Sequence, residues 1–269
     1  MTRSSLLAEE VVAVTITAGD ADVVRAIEAL ADGRSSVRLR AALAAGTAPD
    51  PRFVGPLVER CAVEPEFFVR DTLTWALTRH PVSLTLPGLL RELRSKRAQA
   101  RSQALHTLSK IGDRRAWPAI TRELLSDADD EVARCAWRTA VVLVPEGEEA
   151  ALAAVLVTQL GRGGRETRLS LSRALVALVA LDEAVLPALR VASADPDPRT
   201  RTHALATEGL LRDPESGFEF AVEEAKRAVA LGEAGQAGQA GEAGPSGRSG
   251  PSGDSGDPGV SGRAGQEGP

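Results

Sequence analysis

The sequence predicts an all-α solenoid of about six helical hairpins over residues 1–231, followed by a glycine-rich tail over 232–269. Three observations predict it. Arginines recur at Arg38, Arg70, Arg101, Arg134, Arg168 and Arg201, separated by 32, 31, 33, 34 and 33 residues. Pro56, Pro87, Pro118 and Pro187 precede their arginines by 14, 14, 16 and 14 residues, a second marker of the same register. Apolar residues around both markers fall at spacings of three and four, the pattern of amphipathic helices. A fixed period a little above thirty residues is the signature of one supersecondary unit stacked repeatedly.

The stretch from Ser109 to Val144 shows the unit most fully. Gly112 and Asp113 end one helix, since glycine tolerates the left-handed conformation of a helix C-terminus. Trp117, Ile120, Leu124 and Leu125 predict a first amphipathic helix, with Pro118 early enough for its missing N–H to cost little. Asp127, Asp129 and Asp130 supply turn and cap chemistry. Val132, Ala136, Trp137, Ala140 and Val141 then form a second apolar stripe, with Trp137 in the core. Two such helices joined by a short turn make an αα-hairpin.

In chain order, residues 6–17 predict a short capping helix despite a β-branched run at Val11 to Thr17. The first repeat has helices from Asp20 to Ala31 and from Val37 to Ala45. The second has Pro51 to Ala62 and Glu66 to Arg79. The third begins at Val82 and carries a basic turn from Arg94 to Arg101. The fifth runs from Glu146 to Leu181 with Gly161, Gly163 and Gly164 in its turn. The sixth runs from Asp182 to Leu211. Phe218 to Leu231 reads as a polar-faced terminal cap. From Gly232 onward glycine holds every third position, a collagen-like register with too little proline for a firm triple helix, so a disordered tail is expected and a tail-driven trimer is the weaker reading.

Ile111-Gly112-Asp113, Ala116-Trp117-Pro118 and Asp130-Glu131-Val132-Ala133-Arg134 resemble the HEAT-like repeat family, including its bacterial phycobilisome-lyase-type form. The resemblance covers about residues 20–212; Val24 and Ala154 replace the proline in the first and fifth repeats. It implies a right-handed stack of helix pairs with an extended concave surface, and a scaffold or adapter more often than an enzyme. Fold analogy alone assigns no activity.

Composition narrows the field. A net charge of −5 gives no general case for nucleic acid. Basic turns at 94–101 and 162–168 alternate with acidic turns at 127–131 and 195–197, so neighbours neutralise one another instead of forming a phosphate track. No apolar run reaches membrane-spanning length, and Glu9 and Glu10 interrupt any signal-peptide core, so a cytoplasmic protein is expected. Cys61 and Cys135 read as free thiols. The three histidines are scattered, without the paired His-Glu motifs of HEAT-like deoxyhypusine hydroxylases, and no Cys-x-x-Cys occurs, so neither metal nor cofactor is expected. Gly161 to Gly164 follow no strand and make no phosphate loop.

Positions one, five and eight after each arginine point toward the concave face. They nominate Asp71 and Trp75, Ser102 and His106, Thr139 with Arg138 beside it, and Arg173 as candidate partner-binding residues; Cys135 falls on the same face. Trp75 has two readings, an anchor on an exposed face or a core residue. The arginines themselves read as a ladder bonding turn carboxylates and carbonyls. The function expected is non-catalytic binding of a protein partner, not identifiable from sequence. The alternatives are a base-repair protein of the HEAT-like glycosylase kind and a lyase-type enzyme attaching a bilin.

Overall fold

The computed structural model describes residues 19–242. The expected capping helix at 6–17 and the tail from 243 lie outside the described residues. Among those residues every regular element is helical: α1 (19–29), α2 (Ser35–Thr47), α3 (Val54–Cys61), α4 (Phe67–Thr78), α5 (Val82–Glu92), α6 (Ala98–Ile111), α7 (Arg122–Leu125), α8 (Asp130–Leu143), α9 (Glu149–Leu156), α10 (Arg165–Leu181), α11 (Leu186–Ala192), α12 (Pro198–Arg212) and α13 (Phe218–Glu242). Odd-numbered α1 to α11 are the first helices of six hairpins and form one layer, the A layer. Even-numbered α2 to α12 stack on one another as a second, the B layer, and each pairs with its own A helix. One continuous apolar core runs between the layers. None of the described helices is long and apolar enough to cross a membrane.

The opening expectation for the fourth repeat is corrected in one respect. Its first helix is broken into a 3-10 segment, Arg114–Ala119, and the single turn α7. Pro118 has no N–H to donate inside that segment, and the chain leaves helical dihedrals at Ile120 and Thr121. Trp137 is fully buried, and its indole N–H donates to the Leu125 carbonyl at 2.8 Å, tying the short α7 to α8.

The arginine ladder is present and its geometry repeats. Arg38 donates to the carbonyls of Asp32 and Gly33, Arg70 to Glu64 and Pro65, Arg101 to Ser95, and Arg201 to Asp195 and Pro196. Each of these arginines stands four residues after the N-cap of its B helix, at Arg34, Glu66, Arg97 and Asp197. Arg38 and Arg101 also reach forward to the next repeat, each with two hydrogen bonds to one carboxylate, Glu64 and Asp127 respectively.

In the fourth repeat the sequence register is off by one. The N-cap of α8 is Asp129, so the ladder position is the buried Ala133, and Arg134 stands one residue beyond it. Arg162 of the following turn takes over, bonding the Asp130 carboxylate at 3.0 Å and the Asp127 carbonyl. The shift rotates every later assignment on α8 by about 100°. It explains why Thr139 and Cys135, expected exposed on the concave face, are buried.

Hydroxyls and small residues line the seams between stacked B helices. Thr74 meets Thr107 at 3.3 Å, Thr139 donates to the Leu105 carbonyl at 2.8 Å, and Ser172 meets Thr207 at 2.8 Å. At the last seam His203 Nδ1 accepts from the Gly161 N–H, while Nε2 lies 3.0 Å from both the Arg168 carbonyl and Ser172. That network fits a neutral imidazole protonated on Nε2.

The last helix departs from expectation. Phe218, Ala221 and Ala225 pack with Ala206 and Leu210 of α12 and against Leu169 and Val176 of α10, all B-helix residues. Helix α13 therefore lies on the outer face of the B layer instead of adding to the A layer. Its helical backbone continues past Leu231 to Glu242, because the first Gly-x-y triplets carry alanine, glutamate and glutamine, good helix formers.

Two predictions follow from these networks. Glu64 is fully buried beneath Arg38 and Arg60; burial pushes its carboxyl up, and the hydrogen bonds from Arg38, the Glu66 N–H and Arg60 outweigh it, holding it at about 2. Glu64→Gln leaves two guanidiniums without their charge partner and should cost about 3–5 kcal/mol in urea melts, whereas Arg34→Ala, which removes an exposed pair with Asp32, should cost under about 1 kcal/mol. Burial lowers His203 to about 4 from 6.5. The unfolded chain therefore binds the extra proton first, and stability present above pH 6.5 is lost as pH falls toward 4, by about 3 kcal/mol in full. Urea melts at pH 7 and 4.5 should show this loss in wild type and a smaller one in His203→Gln.

Candidate protein-binding face

Counting from each N-cap aligns the B helices. The ninth residue after it is Leu43, Trp75, His106, Arg138, Arg173 and Ala206. These six form a column across the outer face of the B layer. Leu43, Trp75, Arg138 and Arg173 are exposed, His106 is half-buried, and Ala206 is covered where α13 packs. The fifth residue gives a parallel column containing Asp71, Ser102, Arg134 and Leu169.

The two readings of Trp75 meet halfway. The side chain is 40% exposed, and its ring edge rests on Gly46 of α2; a β-carbon there would stand 2.2 Å from Trp75 Cζ3. Glycine inside α2 is thus required by the close approach of the indole. Phe67 and Phe68, which sequence reasoning passed over, extend the patch at 64% and 75% exposure. They stack edge to face at 5.8 Å, and the Arg70 guanidinium lies 6.0 Å from the Phe67 ring. The chain has five phenylalanines, three tryptophans and no tyrosine, so placing three aromatics exposed on α4 is a concentration. The double phenylalanine at the start of a helix was the available signal.

Beside the patch a hollow of about 250 Å³ is lined by Phe67, Asp71, His106, Glu131, Cys135 and Arg138, among others. A smaller one of about 110 Å³ adjoins it, between Arg134, Arg138, Glu166 and Arg173. Four of the seven candidates, Asp71, His106, Arg138 and Arg173, are thereby brought to one continuous strip. Two are not. Ser102 is buried below its longer neighbours and donates to the Gln99 carbonyl, and Thr139 lies in the α6–α8 seam.

The electrostatics of the strip are mixed with a positive bias. Arg134 pairs with Glu131 at 2.8 Å, and Arg138 stands 3.8 Å from the same carboxylate while donating to Cys135 Sγ at 3.1 Å. Burial, then Lys110 and Arg138, hold His106 below its ordinary value. Burial pushes the Cys135 thiol up to about 11 and Cys61 to about 12, so neither is a thiolate at neutral pH. Among the described residues no three His, Cys, Asp or Glu side chains gather to hold a metal ion. A larger cleft of about 910 Å³ opens in the A layer, between α5 and the broken first helix of the fourth repeat. It shares no residue with the strip.

No protein-family model matches the chain, and no curated protein matches it in sequence. Among solved structures it is similar to the complex of CpcE and CpcF of phycocyanin lyase from Nostoc sp. PCC7120, at 17% identity over 74% of this chain and 85% of that one, with a TM-score of 0.42.

The contact with Gly46 generates a prediction. Gly46→Ala should push the indole off α2, red-shifting the Trp75 contribution to fluorescence. The clash should cost about 1–3 kcal/mol, against which alanine's helix propensity returns about 1 kcal/mol. A spectrum unchanged from wild type, with Trp75→Phe as the reference, would place the ring elsewhere.

Proposed function

We propose that the protein is a non-catalytic adapter that holds a partner protein against the outer face of its B layer. The observation that carries this reading is the concentration of Phe67, Phe68 and Trp75 on α4 beside the charged strip of His106, Arg138 and Arg173. Rigid aromatic anchors next to arginines are the composition of binding hot spots. A face made of stacked helices is formed before the partner arrives, which lowers the ordering cost of association.

The chemistry available supports binding over catalysis. His80 and His203 are buried, and Cys61 and Cys135 are held as neutral thiols. Among the described residues, His106, the histidine on the face, has no hydrogen-bonded carboxylate or nucleophile. A nucleic-acid reading finds little support, because Arg101 and Arg162 of the basic turns are engaged by Asp127 and Asp130. The chromophore-lyase reading rests on repeat similarity alone.

Affinity purification of the tagged full chain from lysate of its source cells, beside a Phe68→Ala/Trp75→Ala variant, tests the adapter. A protein recovered with wild type should fall about tenfold or more with the variant. Equal recovery contradicts the proposal, as does recovery of nucleic acid that salt releases.

A further inference from the structure

The B-layer face already holds a helix at one end. Helix α13 lies on α10 and α12, with Phe218 beside His203 at 6.2 Å between ring centroids and Ala221 against Gly209. Its Glu219 pairs with Arg165 at the N-terminal rim of α10. An apolar stripe seats the helix on the B helices, and a carboxylate on its flank meets an arginine of the face. Ala206, beneath this helix, belongs to the same column as Trp75, His106, Arg138 and Arg173.

The open part of that column repeats these requirements. Phe67, Phe68 and Trp75 offer the apolar seat. Arg138 is half-exposed, Arg173 is exposed and makes no hydrogen bond or ion pair among the described residues, and Lys110 is exposed nearby. Asp71, Glu131 and Glu166 share the strip, and Glu131 is already engaged by Arg134. The local bias is positive on a chain whose net charge is −5.

Resting on the adapter reading, we infer that the open face takes an amphipathic helix of the partner, with aromatic or aliphatic residues along one stripe and carboxylates on its flank toward Arg138 and Arg173. From Trp75 to Arg173 the column crosses three helix-to-helix steps of roughly 8–10 Å each. A helix covering it needs roughly 16–20 residues at 1.5 Å per residue. Carboxylates suit these arginines because the planar guanidinium fork donates two parallel hydrogen bonds to the two oxygens of one carboxylate.

The test is selection of a phage-displayed library of random 20-residue peptides on the immobilised full chain. The enriched peptides are then measured by fluorescence anisotropy against wild type, Arg138→Glu/Arg173→Glu and Phe68→Ala/Trp75→Ala. All four side chains project from the surface, and circular dichroism checks that both variants fold. The enriched peptides should be acidic on one flank of an apolar stripe. They should bind the charge-reversed variant at least about tenfold more weakly, and lysine in place of the acids should restore binding to it. Enrichment of neutral or basic peptides, or binding indifferent to the arginines yet lost with the aromatics, overturns the acidic-helix inference and leaves the adapter face standing. Peptides that bind both variants as they bind wild type, or no enrichment at all, overturn the face itself.

Discussion

The structure depends on a guanidinium four residues into the B helix in four of the six hairpins, at Arg38, Arg70, Arg101 and Arg201. It reaches back to the carbonyls of the turn that joins the two helices, groups a helix terminus leaves without partners. Where the next turn carries a carboxylate, as at Glu64 and Asp127, the same side chain fastens that repeat as well. The pair between Arg38 and Glu64 is almost wholly buried, at 4% and 0% exposure, so neither charge has water to fall back on. In the fourth repeat alanine holds the position, and Arg162 supplies the guanidinium from the neighbouring turn. The duty is kept while the residue that performs it moves. Arg134, freed from that duty by one residue, turns to the outer face and pairs with Glu131.

Fixing the turns fixes the B helices, and the seams between them then decide what faces outward. Small residues and hydroxyls such as Thr74, Thr107, Thr139 and Ser172 let neighbouring backbones approach and satisfy one another's polar groups. His203 is the large side chain held in a seam, and long side chains such as Trp75, Arg138 and Arg173 stand on the face. Helix α13 covers one end of it through Phe218 and a short alanine stripe, leaving the aromatic end and the arginines between open.

Much of this was legible in the sequence, and the failures have physical causes. The arginine and proline periods, read with three-and-four spacing, place all six hairpins, their turns and Trp137 in the core. The alternating turn charges meet as expected, Arg101 with Asp127 and Arg162 with Asp130. Arginine as a marker misplaced α8 by one residue, because a period of residue types cannot tell Ala133 with Arg134 behind it from the ladder position itself. That single shift put Thr139 on the face. Ser102 failed for another reason: a face position holds an exposed residue only if the side chain outreaches its neighbours. Pro118 was compatible with a helix start, and only the dihedrals after it show the break. The seat of α13 depends on long-range packing of Phe218 and Ala221, which no local pattern encodes.

Site-specific photocrosslinking in the source cells tests the central claim, that the outer face of the B layer is where this protein meets its partner. A benzophenone amino acid at position 75 on α4 is compared with the same group at position 84, where Leu84 is exposed on α5 of the opposite layer. Discrete protein adducts from position 75, absent or far weaker from position 84, are the predicted result. Adducts of equal yield from both positions, or from position 84 alone, would contradict it.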